Sequence, residues 1–95
     1  MRRVRRSQIL RLSETLLIEP DFLQRSIEES VIEVRETDEG VELDRRALPR
    51  LRRIERVCRA LGVDVGIAHL MLTLRDRVSE LEDEVRALRS REWTD

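Results

Sequence analysis

Val31-Ile32-Glu33-Val34 and Val41-Glu42-Leu43 flank the polar stretch Arg35-Glu36-Thr37-Asp38-Glu39-Gly40. Two β-branched runs around a glycine-ended turn predict a short β-hairpin. What precedes it is helical. Ile9, Leu12 and Leu16 recur on one face after Ser7, a candidate cap, and Phe22, Leu23, Ile27 and Val31 follow a helix start at Glu19-Pro20-Asp21. Two short helices with a tight turn predict a helix-turn-helix, and the hairpin then stands as its wing.

Beyond the hairpin, Asp44 is a candidate cap for a third helix. Leu48, Leu51, Ile54, Val57, Cys58 and Leu61 form its apolar stripe, and Gly62 stands at the expected C-terminal stop. Pro49 sits inside this pattern, where it either removes one backbone bond or delays the helix start. Asp64 can cap a last helix reaching about Arg91. There Met71, Leu74, Val78, Leu81, Val85 and Leu88 alternate by three and four, the seam of a coiled coil. A small domain cannot cover so long a rod, so the distal seam predicts a partner helix, most simply that of a second copy. The reading is therefore mainly α: a winged helix-turn-helix-like domain over residues 1–62, continuous with a dimerisation helix over 63–95.

Composition narrows the function. The chain has 95 residues, 41% of them charged and 2% aromatic, so its core has to be aliphatic. All nineteen basic residues are Arg, and a single Cys excludes an internal disulfide. No apolar stretch approaches the ~20 residues of a membrane span, and the basic start Met1–Arg6 lacks the apolar run of a signal peptide. A cytoplasmic protein is expected. There is no glycine-rich phosphate loop, no metal-spaced His/Cys set and no nucleophile beside a base, so neither enzyme activity, a cofactor nor a small-molecule substrate is expected. His69 and Cys58 read as structural residues.

Charge is unevenly placed. Residues 1–27 hold six Arg against three acids, residues 28–44 eight acids against Arg35 alone, and residues 45–62 seven Arg against Glu55. A winged helix-turn-helix reads DNA with its second helix and wing, and both need positive or neutral donors for phosphate. Here the second helix carries Glu19, Asp21, Glu28 and Glu29 against Arg25, and the wing carries five acids against Arg35. DNA binding is not expected from these two elements.

The order of elements resembles the MerR-type regulators, and Asp44–Leu61 followed by Gly62-Val63-Asp64 is similar to their third helix and the turn into the dimerisation helix. Those regulators usually carry an Arg and aromatic residues where this chain has Gln24, Arg25 and Ser26. A closer resemblance, from about Ser7 to Leu88, is to the CbpM-type chaperone modulators. It is densest in Glu19-Pro20-Asp21-Phe22-Leu23, Val31-Ile32-Glu33, Val41-Glu42-Leu43-Asp44 and Leu72-Thr73-Leu74-Arg75-Asp76. Leu17 and Ser30 stand where that family tends to have glycine, which implies turns that differ in detail.

The resemblance implies a MerR-like fold and a non-catalytic protein that binds the J-domain of a DnaJ-like co-chaperone and restrains its work with Hsp70. J-domains present a basic helix to Hsp70, so the expected docking surface is acidic: Glu28, Glu29, Glu33, Glu36, Asp38, Glu39 and Glu42, with Phe22 and Val34 as apolar companions. The alternative is a MerR-type DNA-binding transcriptional regulator. For the acidic run itself, a merely solvated face remains the competing reading.

Overall fold

The computed structural model describes residues 4–93, so the expectation placed on Met1-Arg2-Arg3 lies outside the described residues. Four helices and one hairpin follow in order: α1 (Arg6–Leu16), α2 (Pro20–Glu28), β1 (Val34–Thr37), β2 (Gly40–Leu43), a 3-10 turn (Arg45–Ala47), α3 (Leu48–Leu61) and α4 (Val65–Trp93). The predicted winged helix-turn-helix with a long terminal helix is the observed architecture.

Helix α1 begins one residue before the predicted cap. Ser7 lies inside it, and the Gln8 side chain accepts from the Arg5 N–H at 3.0 Å, satisfying a donor the helix itself leaves open. The turn into α2 is latched by buried Ser13, whose carbonyl accepts from the Ile18 N–H at 3.2 Å and whose hydroxyl donates to the Ile18 carbonyl. Pro20 opens α2 as expected. Arg6 reaches across from α1 to Asp21 at 2.8 Å and to Gln24, tying the two helices at their outer edge.

Leu17 and Ser30 both have φ of 57°, in the left-handed region. These are the two positions singled out for lacking glycine, and they take the glycine conformation without it. A side chain there costs about 1–2 kcal/mol, only partly offset by glycine's greater chain entropy. Leu17 is 85% exposed, so removing its side chain loses little packing. Leu17→Gly is expected to stabilise the fold by about 0.5–1 kcal/mol, seen as a higher midpoint in thermal unfolding. An unchanged or lower midpoint would show the turn to be unstrained.

The hairpin is shorter at its turn and shifted along the chain relative to expectation. Arg35, Glu36 and Thr37 are strand residues, the connecting pair is Asp38-Glu39, and Val31–Glu33 is a lead-in. Val34 pairs with Leu43 and Thr37 with Gly40, and the Thr37 hydroxyl donates to the Gly40 carbonyl at 3.1 Å. Gly40 has φ of 129°, which side chains rarely adopt. Register is set by the one apolar pair that meets the core, Val34 with buried Leu43.

Asp44 caps the 3-10 turn rather than α3, accepting from the Arg46 N–H at 2.9 Å. Pro49 stands in the first turn of α3, so it delays the helix and breaks no bond within it. Gly62, at φ 64°, ends α3 and donates to the Cys58 carbonyl. Leu51 and Ile54 are fully buried, Leu48, Val57 and Cys58 pack at the margin, but Leu61 is 56% exposed. Its assignment to the core stripe is corrected: Leu61 faces solvent in the last turn of α3, and the core contacts are resumed just beyond it by Val63 and Val65.

The core joins all of these elements: Ile9, Leu12 and Leu16 of α1, Phe22 and Leu23 of α2, Leu43, Leu51, Ile54, and Val65, Ala68 and Leu72 of α4. Only the first two turns of α4 are packed in this way. The remainder projects, giving overall extents of 62 × 32 × 24 Å.

Candidate partner-binding surfaces

Three surfaces carry exposed chemistry: the end of α2 with the hairpin, the outer face of α3, and the free length of α4. The first holds the acids singled out in the sequence, and the structure divides them into groups. In β1 and β2 side chains alternate between faces, so Arg35 and Glu42 share the outer face, where they pair at 3.9 Å. Exposed Glu33 precedes that strand, and Asp38 and Glu39 occupy the tip. Glu36 lies on the opposite face, paired in register with Val41, in a shallow cleft shared with Arg5 and Gln8. Between α1 and the hairpin runs a further groove lined by Arg11, Glu39, Glu42 and Arg45 among others. The acidic run is thus not one uniform patch.

Glu29, just past α2, faces another way. Its carboxyl lies against Gly66 in the first turn of α4, close enough that any Cβ there would collide with it. The hydrogen bond it shares with the Asp64 side chain raises its pKa, with burial and Asp64's charge adding to the rise. The same bond lowers that of Asp64, helped by the Val65 and Gly66 N–H groups and by Arg25, which pairs with Asp64 at 3.2 Å. Glu29, Asp64 and Arg25 therefore staple α2 to the start of α4. Asp64's share of stability is present above its ordinary carboxylate range and fades as pH falls through its lowered value. Glu29's share has the opposite sign: complete below its ordinary value, it fades as pH rises through the raised one. A neutral donor in Glu29's place should hold the bond at every pH. Glu29→Gln is expected to match or exceed the parent in thermal midpoint at pH 7, with the difference shrinking as Glu29 itself becomes protonated in acid. A variant clearly less stable at pH 7 would contradict the shared bond.

Phe22, expected as an apolar companion on the docking surface, is 9% exposed and part of the core. That expectation is corrected: α2 packs against both α1 and α4, so its buried stripe is wide enough to take Phe22 and Leu23 together. Val34 is half-buried against the same core.

On α3, Arg50 is drawn into the fold. It binds Asp76 at 2.8 Å and the Thr73 hydroxyl at 3.1 Å, and Thr73 in turn donates to the His69 carbonyl. Arg46 pairs with Asp44 and Arg59 with Glu55. Arg52, Arg53 and Arg56 are exposed. Cys58 is half-buried and burial pushes its thiol's pKa up, which suits a small packing residue and not a nucleophile. His69 has a buried Nδ1 with no hydrogen-bond partner among the described residues. Among those residues no group of three His, Cys, Asp or Glu is placed to hold a metal ion, and no single helix is long and apolar enough to cross a membrane.

The third surface is apolar. Met71, Leu74, Val78, Leu81, Val85 and Leu88 are all 40–58% exposed. Exposure begins earlier than the spacing suggested, since Ile67 and Leu70 are also open. Ile67 stands four residues before Met71, so extending the three-four alternation one step back would have found it.

Against known families, a model described as MerR HTH family regulatory protein matches residues 5–90. The chain belongs to the MerR helix-turn-helix family. That match spans α1 through most of α4, so the projecting MerR helix is part of the shared plan and not an appendage. Searches of curated proteins and of solved structures returned no match.

Proposed function

We propose that this MerR-family protein is a non-catalytic, cytoplasmic modulator that works as a homodimer. It binds the J-domain of a DnaJ-like co-chaperone and restrains its action on Hsp70. The observation that carries the reading is the sign of the two elements a winged helix-turn-helix offers to a partner. The end of α2 and the wing expose Glu28, Glu33, Asp38, Glu39 and Glu42, and the α2 cation Arg25 is occupied by Asp64. A basic helix is the complementary partner. Covering the basic J-domain helix would block stimulation of the Hsp70 ATPase without any chemistry by the modulator.

Rim charges set encounter rates, so association should slow as salt rises towards physiological strength. The surface test is Glu28→Arg with Glu33→Arg and Asp38→Arg, leaving Glu29 intact because it staples α2 to α4. Binding to a purified J-domain, followed by surface plasmon resonance, is expected to weaken at least about tenfold, with helicity and mass unchanged. Parental binding by this variant would remove the acidic surface, and no J-domain binding by the parent would remove the partner.

The alternative reading is a MerR-type DNA-binding transcriptional regulator, which the family description fits without singling it out. Arg52, Arg53 and Arg56 on α3 would then touch phosphate, but they lie outside the reading helix and wing. The first reading expects weak, sequence-independent duplex binding at physiological salt. Recovery of one palindromic site at nanomolar affinity from a random pool would establish the regulator instead.

A further inference from the structure

Among the described residues the sheet has two strands, so β1 and β2 are both edges, and so small a sheet gains from further pairing. Thr37 and Gly40 flank the two-residue turn and exchange backbone hydrogen bonds, which makes Arg35 and Glu42 the next bonded pair. Val41 and Leu43 fall between, so their N–H and C=O groups point away from β1. Among the described residues those groups find no backbone partner outside the hairpin. This free edge of β2 forms one wall of the groove between α1 and the hairpin. The other wall is α1, which presents Gln8, Leu12, Thr15 and Leu16 at helical spacing. The groove encloses about 500 Å³, and β1 contributes only Thr37 to it among the described residues. We infer that it takes an extended peptide of a partner protein as a third, antiparallel strand along β2, with side chains in the order acidic, apolar, neutral, apolar, basic.

Each position of that order follows from what it meets. Residues opposite one another in a sheet share a face. Leu43 is buried and Val41 is packed against the core, on the side where Leu12 and Leu16 lie, so the peptide residues opposite them are apolar. The residue between stands opposite Glu42 on the outer face. Glu42 is already paired with Arg35, and a neutral side chain suits this place. Charge sets the ends. Exposed Arg45 lies just beyond Leu43 and exposed Glu39 just before Gly40, and both line the groove. An antiparallel strand begins beside Leu43, so its first residue meets Arg45 and its last meets Glu39. The same peptide laid parallel would set acid against acid and base against base. Backbone bonds to Val41 and Leu43 supply affinity, and the alternate side chains supply selectivity. This strand site is separate from the acidic surface that meets a basic helix and from the seam of α4.

The probe is the capped peptide acetyl-Ser-Glu-Val-Thr-Val-Lys-Ser-amide, titrated into the full chain and followed by backbone amide NMR. In the free chain the Val41 amide should exchange with solvent faster than that of Glu42, which β1 covers. Equal protection of the two would show the edge to be covered already and would overturn the site. On titration the Val41 and Leu43 amides should shift most, and Val41 should become protected. A peptide that shifts nothing, or shifts α4 instead, removes the idea. Methylating the two valine amides of the peptide, which face β2, should weaken binding at least about tenfold. Methylating the threonine amide, which faces away, should change it less than about threefold. Equal effects of the two would mean that the peptide is not held as a strand. The charge-swapped peptide acetyl-Ser-Lys-Val-Thr-Val-Glu-Ser-amide should also bind about tenfold more weakly, and Arg45→Glu with Glu39→Lys should restore it. Parental affinity for the swapped peptide would overturn the order of charges.

Discussion

Leu81→Asp combined with Leu88→Asp is expected to turn a dimer into a monomer. Both side chains are exposed in the single chain, at 42% and 58%, and both lie on the seam that a second copy would cover. Pairing removes that apolar surface from water, at roughly 25 cal/mol per Å². Two carboxylates on each helix, four in the pair, would have to be dehydrated in the interface without counter-ions, a cost of several kcal/mol. The domain itself should be untouched, because the α4 residues in its core are Val65, Ala68 and Leu72, a full heptad or more away. Light scattering should therefore report 11.3 kDa for the variant and twice that for the parent. Circular dichroism should show some loss of helix from the unpaired distal turns, since long helices without tertiary contacts are marginal in water. A parent that is monomeric at tens of micromolar removes the idea outright.

Ile54→Ala should have the largest effect on stability. Ile54 is completely buried at the middle of α3, in the one core that gathers α1, α2, the hairpin and α4. Truncating it loses three carbons of buried surface and leaves a cavity, at a cost of about 2–5 kcal/mol. Small domains have only about 5–15 kcal/mol in total, so the midpoint of thermal unfolding should fall by at least about 10 °C. Leu61→Ala on the same helix is the control, because Leu61 is largely exposed, and its midpoint should barely move. Equal losses for the two would mean that α3 is not anchored by its central turns.

Most of the architecture was legible in the sequence because its signals are local. Gly62 after an apolar stripe, Pro20 at a helix start and the three-four alternation of α4 each depend on neighbours a few residues away. What escaped depended on contacts distant in the chain. Phe22 looked available because a helix packed on one side hides a narrower stripe, and nothing local revealed that α2 is packed on two. Glu29 looked like one more member of an acidic run. Its role appears only when the end of α2 is brought to Asp64 and Gly66, more than thirty residues on. The hairpin limits were misplaced because polar Arg35, Glu36 and Thr37 extend the strand by backbone pairing that the hydrophobic pattern does not record. Leu17 and Ser30 show the converse, since their unusual backbone was visible only as missing glycines.

The elbow between α3 and α4 is a 111° bend across a break of three residues, with Arg50 spanning its inside to Thr73 and Asp76. Such a braced corner resists swinging, so the free length of α4 behaves as a lever fixed to the domain and not as a tether. Displacement of the far end is transmitted to the winged domain with its direction preserved. Tumbling should likewise be that of one elongated body: a fluorophore on the domain and another near Leu88 should report the same anisotropic rotational correlation times. Because Val65, Ala68 and Leu72 also hold α4 in the core, Arg50→Ala should leave the two probes coupled.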